Sequence, residues 1–579
     1  MNKKTFKRFK QMLKPYWKMV LIIMFISIVI NAVELIKPYI IQQVIDNYLK
    51  TKTYVYNNIS ISNIACIYIF LVAFGNIINY INTSASFKLG EKVIYDLRIK
   101  LFDFIEKANF SFHDKTLSGE LYVRLTSDTE TVYGLFAEVI STLLKDILII
   151  IGLITAMVYI SSQLSIITFA MIFLVCVTII VMTRKMNDIY EKSKIARTRL
   201  NTFIAESIYG VKLIKIFNRQ AIEQKECEKR SEEMVYEGRN LGGYLGILPG
   251  FIDTIEKLAI SWVIVFCSYK LLGVSLDIGI IYLFITYMTK IINPINRVIE
   301  KLEVVTDAFS SIDRIYDILD QKEMEENYDR GMKFKEIKGK IEFKNVWFAY
   351  RANNWILKDV SFTINPGESV ALVGKTGSGK TTIVSLISRF YEIQKGEILI
   401  DGINIKDINL KSLRANIGTI LQDPFIFARS IKENIKLYSD VSDDEIQNAI
   451  QISSADHFIK ALPNGINEIA NERGNSYSAG QKQLLAFARI FARDPAILIL
   501  DEATSNIDTM TEELIQKSID TLLSKKTSIF IAHRLSTIVN VDKIIVLDGG
   551  TIIEQGNHKE LLKKDGYYSK LYNVNLNKK

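Results

Sequence analysis

The residues Gly374-Lys375-Thr376-Gly377-Ser378-Gly379-Lys380-Thr381 have the types and the spacing to wrap a chain of phosphates. Glycines reach backbone angles closed to other residues, so successive N–H groups can turn inward around an anion. An apolar run, Ser369–Val373, leads in, and a helical pattern follows from Thr382 to Phe390. The positive end of that helix dipole adds to the cradle. Lys380 is placed to reach the β- and γ-phosphates, and the Thr381 hydroxyl to reach a bound Mg²⁺. Further on, the wholly apolar strand Ile497-Leu498-Ile499-Leu500 ends in Asp501-Glu502. There Asp501 can hold Mg²⁺ through water, while Glu502 can orient and deprotonate an attacking water. An Asp-Glu pair more ordinarily opens a solvated helix. A buried strand running straight into it, downstream of a phosphate loop, favours the catalytic reading.

These residues need elements to hold them, and the composition describes two kinds. Apolar residues make up 49% of the 579, yet 23% are charged, and the mean hydropathy is +0.16. A chain that is part membrane and part soluble satisfies all three figures. The net charge is +9, and Lys3, Lys4, Lys7, Arg8, Lys10, Lys14 and Lys18 all precede the first acidic residue. Beside a long apolar stretch this is the positive-inside signal, and no nucleic-acid partner is needed to explain it. Cys66, Cys176, Cys227 and Cys267 stand singly, without metal-ligand spacing, and are expected to be inert packing residues.

Residues 1–18, with Phe6, Phe9, Met12, Leu13 and Trp17 among the lysines, suit a short helix on the cytoplasmic membrane face. Spans are expected at 19 to about 45 and at 59–81; the first is too long for a signal peptide and lacks a cleavage site. The 37 uncharged residues 147–183 must make two spans, turning at Ser161-Ser162-Gln163. Two more fit 247–272 and 278–298, for a total of six. The charged stretches 83–146 and 184–246 read as cytoplasmic extensions of the spans, with tips near 112–120 and 210–219. Glu34, Lys37, Asp253, Glu256, Lys257 and Lys290 lie inside spans, where a charge faces either a cavity or a partner helix. Glu34 and Lys37, one turn apart, suit pairing; Glu34, Asp253, Glu256 and Lys290 are the cavity candidates. The domain plan is thus 1–18 interfacial helix, 19–312 membrane domain, 313–338 linker and 339–579 soluble α/β domain.

Ser478-Ala479-Gly480-Gln481, upstream of the apolar strand, resembles the signature motif of the ATP-binding cassette (ABC) proteins. Other motifs stand in that family's order. Tyr350 matches its adenine-stacking aromatic, and Gln422 its γ-phosphate-sensing glutamine and Mg²⁺ ligand. Ser505-Asn506-Ile507-Asp508 matches the loop joining its two nucleotide sites, and His533 its switch histidine. The whole layout is similar to an ABC exporter half-transporter: six transmembrane helices with long cytoplasmic extensions, then one α/β P-loop ATPase. The resemblance implies Mg²⁺ held by Thr381, Gln422 and Asp501, and ATP bound by Tyr350, Gly374, Thr376 to Thr381 and Thr382. It assigns catalysis to Glu502, His533 and Gln422. It implies export of amphipathic drugs or lipids across a bacterial cell membrane, with the N-terminus and the ATPase cytoplasmic.

It also implies a second half-transporter subunit, whose ATP Tyr477, Ser478, Ala479, Gly480 and Gln481 would cover from a helix N-terminus. The usual signature has Leu-Ser-Gly-Gly-Gln. Here Ala479 is a mild change, but Tyr477 is bulkier and polar, able to displace Ser478 from a γ-phosphate. Intact catalytic residues beside an altered signature favour one subunit of a heterodimer; a tolerated variant in a homodimer is the alternative. A non-pumping sensor or pore would keep ATP binding without sustained turnover, and Glu502 and His533 argue against it. The spans exclude a soluble cassette acting on DNA or ribosomes. A peptide exporter that trims its cargo would need a protease domain ahead of the first span, more than residues 1–18 can hold; untrimmed peptides stay open.

Overall fold

The computed structural model describes residues 3–51, 55–56, 59–268, 277–321, 330–334, 337–351, 354–437, 440–501, 513–516, 518, 526–531 and 539–576. They form two compact units, Met1–Phe102 with Gly119–Gln321, and Asp103–Ser118 with Lys322–Lys579.

The first unit is helical because apolar backbone in lipid must satisfy its hydrogen bonds within its own segment. Its helices are α1 (Lys3–Leu13), α2 (Trp17–Thr51), α3 (Ile61–Lys107), α5 (Ser118–Ile160), α6 (Ser162–Tyr209), α7 (Val211–Ile216), α8 (Gln220–Ser268) and α9 (Ile278–Leu319); α4 (Phe110–Lys115) and the end of α3 belong to the second unit. The α3, α6 and α8 helices contain 47, 48 and 49 residues. That is about 70 Å at 1.5 Å per residue, against a hydrocarbon core of about 30 Å. These helices therefore run well beyond the core, as the long charged stretches led one to expect, and the short α4 and α7 stand at their tips.

Among the described residues, five helices are long and apolar enough to cross a membrane. The sixth expected span, 247–272, is helical to Ser268, but Asp253, Glu256 and Lys257 dilute its hydropathy and residues 269–276 lie outside the described set. The turn between the third and fourth spans falls where expected: extended Ser161 caps α6, its Oγ accepting from the Leu164 N–H at 3.4 Å. Two five-residue stretches of α5, Arg124–Asp128 and Leu135–Val139, wind as π turns. Pro38, Pro249 and Pro294 sit inside helices, each removing a hydrogen bond to the carbonyl four residues back.

The N-terminal helix is buried against protein on one face. Arg8 donates to Asp313 (2.7 Å), Asp317 (3.1 Å) and Asp320 (2.6 Å), while Phe9 packs on Phe136 and Phe309. The last helix accordingly runs on to Leu319, through residues expected to begin a linker. Arg8→Ala is expected to destabilise the purified protein by about 2 kcal/mol, since Asp317 and Asp320 are half exposed and partly screened. A thermal melt checks this, and raised salt should shrink the difference. The cysteines depart from expectation: Cys66 and Cys176 are exposed on spanning helices, Cys227 and Cys267 partly so, and all four are free.

The second unit contains two sheets. Numbering its strands β1 (Ile341–Phe348), β2 (Leu357–Ile364), β3 (Ser369–Val373), β4 (Lys395–Ile400), β5 (Ile403–Asn404), β6 (Ile417–Ile420), β7 (Ile497–Asp501), β8 (Thr527–Ile531), β9 (Lys543–Asp548) and β10 (Thr551–Gly556), the larger has the order β10-β9-β3-β8-β7-β6. It is parallel except for β10. Alternation along β7 feeds two cores, Leu498 and Leu500 joining one and Ile497 and Ile499 the other. The smaller sheet, β2-β1-β4-β5, is antiparallel. Short strands alternating with helices suit a largely parallel sheet, which the larger sheet is and the smaller, antiparallel one is not.

Candidate functional site

Parallel strands align their carboxyl ends along one edge, where α/β sheets bind ligands. Here β3 runs into the phosphate loop, β7 ends at Asp501 two strands away, and β6 leads to Gln422. Gly377 and Gly379 have φ of +83° and +102°, in the region that favours glycine. A Cβ added at Gly374 would lie 2.2 Å from the Leu547 carbonyl oxygen, and one at Gly379 2.6 Å from Leu357. Gly379→Ala is therefore expected to cost about 1–3 kcal/mol, read as a lower melting temperature and a smaller upward shift with Mg·ATP.

Helix α10 (Lys380–Ile387) opens directly from the loop. Lys380 is buried, its ammonium donating to the carbonyls of Gly374 (2.8 Å) and Lys375 (3.0 Å). Burial pulls its pKa below the usual lysine value, and the Asp501 carboxylate partly opposes that fall. The Ser378 hydroxyl is buried with no partner, an unanswered polar atom inside the cradle. A desolvated cation, an unsatisfied hydroxyl and glycine-only backbone are what a triphosphate would complete. Thr376 and Thr381 are exposed, while Thr382 is buried and bonded to the Tyr350 hydroxyl at 3.2 Å. Among the described residues no His, Cys, Asp or Glu cage exists. The oxygens of Thr381, Gln422 and Asp501 are the hard donors Mg²⁺ prefers, and Mg²⁺ usually keeps several waters.

The signature residues open helix α11 (Ala479–Arg493). The Ser478 hydroxyl accepts from the Gln481 N–H (3.2 Å), and the Gln481 side chain accepts from the Ser478 N–H (3.0 Å). Tyr477 is buried in the core, its ring edge-on to Phe458. The Tyr477 ring turns inward rather than toward Ser478, and the Ser478 cap bonds are both made. Ser478 and Ala479 face outward and Gly480 is buried. Among the described residues no hydrogen bond joins Ser478 to the phosphate loop of its own chain. Glu502, Ser505, Asp508 and His533 lie outside the described residues.

Two connections tie these elements together. Gln483 of α11 donates to the carbonyls of Leu421 (3.2 Å) and Gln422 (2.9 Å), tying the signature helix to the glutamine loop. Within the second unit, Phe110 of the α4 tip stacks on Phe390 at 4.0 Å, and the Tyr391 hydroxyl donates to Asp114. The Tyr391 ring meets that of Tyr350 edge-on at 5.0 Å, beside a cleft of about 780 Å³. A hydroxyl and two rings thus link the tip to α10. Phe390-Tyr391, at the end of the helical pattern, was the available signal.

In the spans Glu34 bonds both Lys37 (2.6 Å) and Lys290 (2.7 Å). Asp253 is exposed and lies 3.5 Å from Lys257; Glu256 is buried, 3.7 Å from the same lysine.

Comparison with known proteins agrees with this arrangement. The family model "ABC transporter transmembrane region" matches residues 20–295, and the model "ABC transporter" matches residues 357–505. The "ATP-dependent lipid A-core flippase" of Desulfotalea psychrophila is 31% identical over 574 residues, 99% of this chain and 100% of the relative. This chain belongs to the ABC transporters. The "Probable multidrug resistance ABC transporter ATP-binding/permease protein YheH" of Bacillus subtilis is 36% identical over 496 residues, 85% of this chain and 73% of the relative. A solved structure, "Structure of a bacterial Atm1-family ABC exporter with ATP bound", superposes with a TM-score of 0.76 at 24% identity, covering 97% and 98% of the two chains. The fold is therefore a transmembrane helical domain followed by an ABC ATPase, and the chain is a multi-pass membrane ABC transporter that couples ATP hydrolysis to transport.

Proposed function

We propose that this ABC transporter is one subunit of a dimeric exporter that moves amphipathic drugs or lipids across a bacterial cell membrane. The observation that carries the reading is the desolvated Lys380 in its glycine cradle, on the same chain as membrane-crossing helices. On this reading the loop N–H groups and Lys380 bind and orient the triphosphate, and Tyr350 supports the adenine. Thr381, Gln422 and Asp501 would hold Mg²⁺, which when bound neutralises phosphate charge. Glu502 takes the attacking water's proton, and His533 stabilises the γ-phosphate end. The cargo class draws on the relatives, one named for lipid A-core and one for multidrug resistance.

A second subunit is part of the proposal. The signature cap faces outward, and the α7 tip exposes Leu213, Ile216 and the adjoining Tyr209 and Phe217, an apolar patch suited to a partner. The altered signature supports a heterodimer; the inward-packed Tyr477 and intact Ser478 cap support a homodimer. Mg·ATP hydrolysis by this chain purified alone in nanodiscs tests both the activity and the pairing. Rapid turnover identifies a homodimer, and silence that a co-expressed partner relieves identifies a heterodimer. Silence with every partner tried would sink the proposal. Ser478→Ala is expected to reduce turnover at least tenfold in a homodimer and to have little effect in a heterodimer.

The tip contact has its own test. Tyr391→Phe keeps the ring and removes the hydroxyl donor to Asp114. Basal hydrolysis should persist while stimulation of ATPase activity by cargo falls severalfold; unchanged stimulation would show that this bond carries no coupling.

A further inference from the structure

A charge within a membrane span is costly unless another charge, water or a ligand answers it. Where α2, α5 and α9 meet, four cations stand with two carboxylates. Glu34 is shared between Lys37 and Lys290, and Asp146, fully buried, takes a two-pronged bond from Arg297 at 2.6 and 2.9 Å. Among the described residues Lys145 pairs with no carboxylate; its ammonium donates to the Asn79 side-chain oxygen at 2.9 Å. Lys145 adjoins Asp146 in sequence, and its carbonyl accepts from the Asn31 amide of α2, one turn before Glu34, at 2.9 Å, so the six groups form one cluster. Asp253 and Glu256, on α8, pair with Lys257 and reach none of the four cations. Among these six groups the positive charges outnumber the negative by two.

Its depth follows from helix geometry. Lys290 is 12 residues from Ile278 at the start of α9, and Lys145 is 15 residues from Ile160 at the end of α5. These are about 18 and 22 Å at 1.5 Å per residue, inside a core of about 30 Å. Asp46 of α2 bonds the Gly279 N–H at 2.6 Å, which sets Glu34 level with Lys290. The backbone is also broken here. Pro38 and Pro294 stand four residues after Glu34 and Lys290, so both carbonyls lose their helical donors. The Lys290 ammonium lies 3.3 Å from the freed Glu34 oxygen. Lys145, Lys290 and Arg297 all remain partly exposed.

We propose that this cluster is the headgroup site of the cargo, and that the cargo is an anionic amphiphile: a phosphate or carboxylate on an apolar body. The proposal rests on the export reading above and narrows it. An anion would neutralise the excess charge in a medium that screens it poorly, while a cationic drug would meet repulsion.

The test uses the full chain in phosphatidylcholine nanodiscs, with labelled dodecyl phosphate, dodecyltrimethylammonium and inorganic phosphate as probes. Dodecyl phosphate is expected to bind at least tenfold more tightly than the ammonium, with inorganic phosphate failing to compete. Lys145→Gln, which can keep the Asn79 bond, should weaken dodecyl phosphate binding roughly tenfold, and Lys145→Glu should reverse the preference. Lys290→Met, which leaves Glu34 paired with Lys37, should weaken it likewise, and melting curves confirm that each variant is folded. Equal affinity in all folded variants, or preference for the ammonium, overturns the proposal. Competition by inorganic phosphate as strong as by the amphiphile also overturns it, identifying a small-anion site. Wild-type ATPase activity in the same particles separates the two readings: hydrolysis without dodecyl phosphate binding sinks this site alone. Selective binding without hydrolysis, with any partner supplied, sinks the export reading and leaves the site standing.

Discussion

Lys380→Ala is expected to remove measurable ATP binding at concentrations that saturate the native protein, a loss of about 10²-fold or more. The ammonium is already stripped of water and held by the Gly374 and Lys375 carbonyls, so its geometry is set before ligand arrives and little reorganisation opposes binding. Alanine would remove the cation and leave those carbonyls without their donor. Fluorescent ATP-analogue binding to the full chain measures the effect. Near-native affinity would mean that the backbone cradle alone holds the phosphates, and the role given to Lys380 would be wrong.

Glu502→Gln should behave in the opposite way. Its amide is nearly the carboxylate's size but cannot take the proton of an attacking water, so ATP affinity should be retained. Turnover should fall on the order of 10²–10⁴-fold. Both variants would be silent in a hydrolysis assay, and only the binding measurement tells them apart. Brisk hydrolysis by Glu502→Gln would require another base and overturn the assignment.

The cassette was the more legible half of the chain because its chemistry is written in short contiguous motifs. The phosphate loop, the Ile497–Asp501 strand and the Ser478 cap could each be read from neighbours in sequence. Tyr391 and Asp114 could not, since 277 residues separate them and only folding brings the α4 tip to the end of α10. The burial of Tyr477 could not be read from its polarity, since the ring's freedom to turn into the core appears only with the fold. In the membrane unit, the long uncharged runs fall on helices long and apolar enough to cross a membrane. Lys145 and Asp146 were missed because they stand just before the uncharged run that begins at Ile147, although α5 carries straight through them. Glu34 with Lys37 followed from helical spacing, whereas Lys290 and Arg297 needed the packing of separate helices. The antiparallel sheet stayed hidden because its strands pair across β-bulges that interrupt simple alternation.

The two π turns of α5 have a practical meaning for anyone who splices this transporter with its relatives. Each is equivalent to one residue inserted into an α-helix, turning everything beyond it by about 100° and advancing it about 1.5 Å. Arg124–Asp128 and Leu135–Val139 both lie between the α4 tip and the apolar part of α5. A chimera joined by matching residue numbers across this segment, with a donor lacking either turn, would present Lys145 and Asp146 on the wrong side of the helix. Junctions belong before Arg124 or after Val139, and one compensating deletion should rescue a chimera that was cut between them.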